Sequence, residues 1–129
     1  MIVADASVVV DLLVPSPGTP PDLANCLIHE VVVAPELLDV EVTQVLRRLV
    51  LKGRLDVDRA RFALGDLAVL PIERYPHASL IARAFELRDN ATAYDGVYIA
   101  LAEQLGATLR TRDAALGAVP GSRASVEVV

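Results

Sequence analysis

Four acids in this chain stand where an apolar run ends or a helical pattern begins. Asp5 follows Ile2-Val3-Ala4, Glu41 lies in the opening turns of a helical pattern, Asp95 follows Thr92-Ala93-Tyr94, and Asp113 follows Thr111-Arg112. Gathered together, four carboxylates repel one another strongly unless cations hold them. Oxygen-only ligands of this kind suit Mg2+ or Mn2+. Such a centre can orient a phosphodiester, lower the pKa of a bound water and stabilise the departing oxygen. No Cys or His cluster offers a zinc site, and the nucleophile candidates Ser7, Thr111 and Cys26 lack a histidine partner at a readable position. Each acid also has an ordinary structural use. Asp5 can cap a helix or close an Asx turn, and Thr92-x-x-Asp95 fits a capping box. Glu41 can be a solvated border residue beside a basic neighbour. At a helix start, close to the positive end of the dipole, Asp95 should stay ionised.

The positioning elements can be read from periodicity and breakers. Ile2-Val3-Ala4, Val31 to Ala34 and Ala107 to Arg110 are short apolar strands. The first runs into a helix over Ala6 to Leu13, and a helix from about Asp22 to His29 precedes the second. Pro35-Glu36 opens a helix from about Leu37 to Lys52, ended by Gly53. Its stripe of Leu38, Val42, Val45, Leu46 and Leu49 faces the core, with Glu41, Arg48 and Lys52 on one border and Asp39 on the other. Asp56 or Asp58 caps a helix running to about Val69. Leu70 to Tyr75 is extended, an edge strand in which proline is tolerated. Pro76 to Arg88 reads as a helix with Leu80, Ile81, Ala84 and Leu87 inward. The next helix, to about Leu105, carries Val97, Tyr98, Ile99 and Leu101 and must be covered on nearly all faces. A short helix over Ala114 to Leu116 and a closing strand at Val126 to Val129 complete the order. His29 and His77 read as helix-end residues without a ligand-like neighbour in sequence.

Strands alternating with helices imply a three-layer α/β/α sandwich, a single domain over residues 1–129 around a mostly parallel sheet of four to five strands. Ligands of such sheets bind at the carboxyl ends of the strands, where Asp5 and Asp113 emerge. The chain is 53% hydrophobic, enough to cover a sheet on both faces. The net charge of −5 argues against a protein that coats nucleic acid through a basic surface. Four of those charges belong to the candidate acids, leaving −1 elsewhere, so an RNA substrate is not forbidden. A single cysteine fits a reducing compartment. No signal peptide and no apolar run near the ~18 residues of a membrane span can be found, which points to the cytoplasm and no membrane. Neither G-x-G-x-x-G nor a P-loop motif occurs.

Asp5-Ala6-Ser7, Leu38-Asp39-Val40-Glu41-Val42, Thr92-Ala93-Tyr94-Asp95 and Thr111-Arg112-Asp113 together resemble the PIN-domain family. The likeness runs from Met1 to about Gly121 in order and spacing, includes Leu70 to His77, and is nearest to the VapC toxins of bacterial toxin–antitoxin pairs. It implies a Mg2+- or Mn2+-dependent endoribonuclease that cleaves structured RNA such as tRNA or rRNA. It implies that Asp5, Glu41, Asp95 and Asp113 are the metal-binding and catalytic acids, with Ser7 and Thr111 supporting them through hydroxyl hydrogen bonds. It implies a homodimer and a cognate VapB-type antitoxin whose C-terminal segment lies across the active-site groove while its N-terminal domain binds DNA. Arg110 departs from the pattern, since relatives more often carry an apolar residue there.

Arg48, Lys52 and Arg112 are candidate contacts to an RNA backbone, because two share the Glu41 border and one adjoins Asp113. Two other readings stand beside the nuclease. One is a metal-dependent phosphohydrolase acting on a small molecule, and the other is a non-catalytic interaction module whose acids only cap helices.

Overall fold

Ile2, Val3 and Ala4 are all buried, because the strand they form lies in the middle of a sheet covered on both faces. In the computed structural model the sheet has five strands: β1 (Ile2–Ala4), β2 (Val32–Pro35), β3 (Ile72–Tyr75), β4 (Thr108–Thr111) and β5 (Val126–Val128). Their spatial order is β3-β2-β1-β4-β5, and every neighbouring pair is parallel. All five carboxyl ends therefore lie along one edge. Ile2 faces Val32 and Thr108, and Ala4 faces Arg110. The backbone of residues 1–129 is described, together with all side chains but those of Cys26 and Leu27.

The helices are α1 (Ala6–Leu13), α2 (Leu23–His29), α3 (Leu37–Leu51), α4 (Val57–Val69), α5 (Ile81–Glu86) and α6 (Ala93–Leu105), with a 3-10 helix at Ala114–Ala118. Strand side chains alternate between two cores, as the pleat requires. Ile2, Ala4, Val32 and Ala34 join α1, α3 and α4 on one face. Val3, Val33 and Leu109 join α5 and α6 on the other. Every residue from Gly96 to Ala102 is buried, so α6 is the covered helix its composition demands. Gly96 permits this: a Cβ there would sit 3.0 Å from Ala84 Cβ and 3.2 Å from Ala84 O. Gly106, left-handed at φ 61°, ends α6.

Four observations revise or complete the sequence reading. The helix expected from Pro76 begins only at Ile81, after turns in which Leu80 N–H donates to His77 O. Ile81 is 54% exposed, not inward; the buried stripe is Leu80, Ala84 and Leu87, at helical spacing, with Ile81 about 100° away from it. His77 is not a bystander, since its Nε2 accepts from Leu37 N–H at 2.9 Å. It thereby caps α3, where Glu36 makes no side-chain cap. Arg110 and Asp39 also find partners. Arg110 Nε donates to Glu127 Oε2 at 2.7 Å across the β4–β5 pair, and Arg74 grips both Asp39 oxygens at 2.9 and 3.3 Å.

On the far side, Arg83 binds Glu103 through Nε and Nη2 at 2.8 and 3.1 Å and donates to Gly121 O. Arg123 N–H donates to Glu103 as well, tying the segment before β5 to α6; the Arg83 guanidinium first, and this N–H after it, hold the Glu103 carboxyl below the usual range against its burial. Among the described residues, no helix is long and apolar enough to cross a membrane.

Candidate active site

Asp5 is the first residue past β1. It caps α1 through Ser7 N–H, as its ordinary use would have it, yet its other oxygen faces a different task. Oδ2 accepts from Ser7 Oγ at 2.9 Å and from Thr111 Oγ1 at 2.5 Å. Each hydroxyl in turn accepts a backbone N–H from the segment leaving β4: Arg112 donates to Ser7 Oγ at 3.0 Å and Asp113 to Thr111 Oγ1 at 2.9 Å. A continuous relay thus ties the ends of β1 and β4 through one carboxylate oxygen, and Asp5 is left 8% exposed with both of its oxygens hydrogen-bonded. Asp113 caps the 3-10 helix through Ala115 N–H.

Asp95 stands in the first turn of α6, whose N-cap Thr92 accepts from Asp95 N–H at 3.1 Å. Glu41 projects from the first turns of α3. Tyr98, one turn beyond Asp95 on α6, is buried with its hydroxyl 3.5 Å from Glu41 Oε2, at the outer limit of a hydrogen bond.

All four acids line one open cleft of about 400 Å3, together with Ser7, Asp11 and Arg112. Their mutual charge is felt. Burial, then the charges of Asp5 and Asp95, push the Glu41 carboxyl up to about 7, against the opposing hydrogen bond from Tyr98. Burial, then Asp5 and Asp113, likewise raise Asp95. The helix dipole alone would favour an ionised Asp95, but desolvation and two neighbouring carboxylates act the other way. The one cation lining the cleft does not relieve this. Arg112 is engaged on three sides, with Asp11 Oδ2 at 2.9 Å, Val129 O at 2.8 Å and Gly18 O at 2.9 Å.

The donors offered to a ligand are therefore oxygens carrying uncompensated negative charge, a set that fits a hard divalent cation and no zinc-type site. Among the described residues, no three Asp, Glu, His or Cys side chains converge closely enough to grip an ion together. Mg2+ usually keeps several waters and meets protein through one or two carboxylates. The cleft suits an ion of that kind better than a closed cage. The residues available to hold it are Asp5, Glu41, Asp95 and Asp113.

Arg48, exposed on α3, and Lys52, exposed just past its end, make no side-chain pair with a described residue; Arg48 lines an adjoining groove. Sequence reasoning missed Asp11 and Tyr98. Both carried a signal, Asp11 being four residues from Ser7 and Tyr98 three from Asp95, so each shares a helical face with a candidate.

The PIN-domain family model matches residues 2–121. The chain is 41% identical over 128 residues to Ribonuclease VapC1 of Mycobacterium tuberculosis, an alignment covering 98% of this chain and 96% of that one. It is 36% identical over 129 residues to Ribonuclease VapC12 of the same organism, covering 100% and 99%. It shares its fold with VapBC2 from Rickettsia felis, solved bound to a DNA fragment from its promoter, at a TM-score of 0.71, 15% identity and coverage of 99% and 98%. A match across nearly the whole chain, with identities of this size, means that the chain belongs to the PIN-domain family and groups with its VapC members.

Proposed function

We propose that this chain is a Mg2+- or Mn2+-dependent endoribonuclease, the toxin of a toxin–antitoxin pair, which hydrolyses phosphodiester bonds of structured RNA such as tRNA or rRNA. The observation that carries this reading is one cleft lined by four acids, two of them raised by burial and mutual repulsion, with its only cation already paired. The relatives' names, Ribonuclease VapC1 and VapC12, support the choice of RNA over a small phosphoester.

A divalent ion, when bound, supplies Lewis acidity and a water of lowered pKa. The residues do the rest. Asp5 is locked by two hydroxyls and serves as the fixed reference point of the cleft. Asp95 and Asp113 enter from α6 and from the end of β4 and complete the ligand set. Glu41, poised near neutral pH, is suited to accept the proton of the attacking water. Arg48 and Lys52 attract the RNA backbone, while Arg112 holds the Asp11 side of the cleft. The protein works in the cytoplasm, as a homodimer silenced by a VapB-type antitoxin. Exposed apolar side chains on α4 (Phe62, Val69) and α5 (Ile81, Phe85) are surfaces available to such partners.

Asp5→Asn and Asp95→Asn test the assignment. Cleavage of RNA in Mn2+ should fall by at least about a hundred-fold, with circular dichroism and thermal midpoint nearly unchanged. Undiminished cleavage by either variant would overturn it.

A further inference from the structure

Next to the acid cleft runs a second groove of about 430 Å3, within the size of small-ligand sites, about 300–1,000 Å3. Glu41 and Val45 line both, so the two are continuous. One wall is a single row of α3: Val40, Gln44 and Arg48, at four-residue spacing. Tyr94 of α6, the residue before Asp95, lines the groove from a second element. Val40 is 66% and Tyr94 64% exposed. None of Val40, Gln44, Arg48 and Tyr94 has a side-chain hydrogen bond or ion pair with a described residue. Folding gives this apolar, amide and cation ladder no use.

Resting on the reading of the acid cleft as a phosphodiester-cleaving centre, we propose that this groove is a subsite for an unpaired nucleobase of the RNA. Tyr94 is the stacking platform, Val40 a second apolar contact, Gln44 the group that meets the edge of the base, and Arg48 the contact to its phosphate. Proteins that recognise RNA by sequence take splayed bases onto aromatic rings and read their edges. Every base has a face to stack, and a ring beside an acid cluster holds a nucleotide where its phosphate can reach the acids. A cation here also balances a polyanion that the neighbouring carboxylates would repel. The occupant is therefore an RNA nucleotide and not an apolar peptide.

The test uses a short labelled single-stranded ribo-oligonucleotide of mixed sequence, bound in Mg2+ to a cleavage-impaired Asp113→Asn chain. Tyr94→Ala should weaken binding about ten-fold or more, the loss of one stacked base, while Tyr94→Phe and Tyr94→Trp bind as before. The chain has no tryptophan, so Tyr94→Trp gives a single reporter whose fluorescence the oligonucleotide should quench. Arg48→Ala should lower the slope of log affinity against log salt by about one. In cleavage by the otherwise unchanged chain, Tyr94→Ala should raise KM more than it lowers kcat.

Unchanged oligonucleotide affinity in Tyr94→Ala, with cleavage intact in the chain that retains Asp113, overturns the subsite and leaves the nuclease standing. The same result with loss of inhibition by a protein partner overturns it too, and assigns the groove to that partner. If the natural chain neither cleaves nor binds RNA in Mg2+ or Mn2+, the nuclease reading fails and the subsite with it.

Discussion

Glu41 makes the charge of the cleft measurable without any substrate. Its carboxyl is raised from an ordinary 4.5 to about 7, so the folded protein holds this proton more tightly than the unfolded chain does. The stability it contributes is complete below about pH 4.5 and is lost as pH rises through about 7. At about 1.4 kcal/mol per pH unit the ceiling of that loss is about 3 kcal/mol. The cleft is open to solvent, and screening brings the expected loss to about 1–2 kcal/mol. Asp95 adds an effect of the same sign. Glu41→Gln keeps the shape and an acceptor for Tyr98 but cannot ionise. The variant should match the natural chain near pH 4.5 and exceed it at pH 8 by about 1–2 kcal/mol, a rise in Tm of about 3–8 °C for a chain of this size. Millimolar Mn2+ at pH 8 should raise the Tm of the natural chain and narrow the gap. Differential scanning calorimetry of both proteins from pH 4.5 to 8, with and without the ion, reads all of this. Comparing the two cancels the remaining titrating groups, including Glu103, whose depressed carboxyl acts in the opposite direction. Equal midpoints at pH 8, or a gap that closes as pH rises, would refute the account of repulsion in the cleft.

Thr111→Val leaves Asp113 N–H without its acceptor and Asp5 Oδ2 without one of its donors; it should cost about 1–3 kcal/mol in urea unfolding and reduce cleavage as well. Gly96→Ala drives a methyl against the backbone of Ala84 and should cost about 1–3 kcal/mol, read as a lower Tm. His77→Ala removes the acceptor at the start of α3 and should cost about 0.5–2 kcal/mol, with His77→Gln recovering part of it in the same thermal melt.

Much of the fold and of the cleft was legible because it follows local rules. Strand, acid and helix in succession announce a side chain at the carboxyl edge of a parallel sheet, and this located Asp5 and Asp113. A count of 100° per residue put Glu41 at the border of its stripe, and Thr92 marked the start of α6 beside Asp95. What escaped is set by partners distant in sequence. Nothing near His77 reveals that its ring caps a helix 40 residues earlier. That use of the ring, with the turns around Leu80, delays α5 to Ile81. Arg110 looked out of place in a buried strand because its partner Glu127 is defined only by the β4–β5 register. The second groove, too, arises only when α3 meets α6, and no periodicity in either helix alone displays it.

The bond between Thr111 and Asp5 spans 106 positions, and β1 has β4 as one of its two neighbours in the sheet. A growing polypeptide thus carries Asp5, Glu41 and Asp95 well before it owns the strand and hydroxyl that lock the first of them. Until residues 108–111 pair beside β1, Asp5 has neither its second strand neighbour nor the Thr111 hydroxyl, so a carboxyl near position 5 is held only once a segment a hundred positions further along has folded against it.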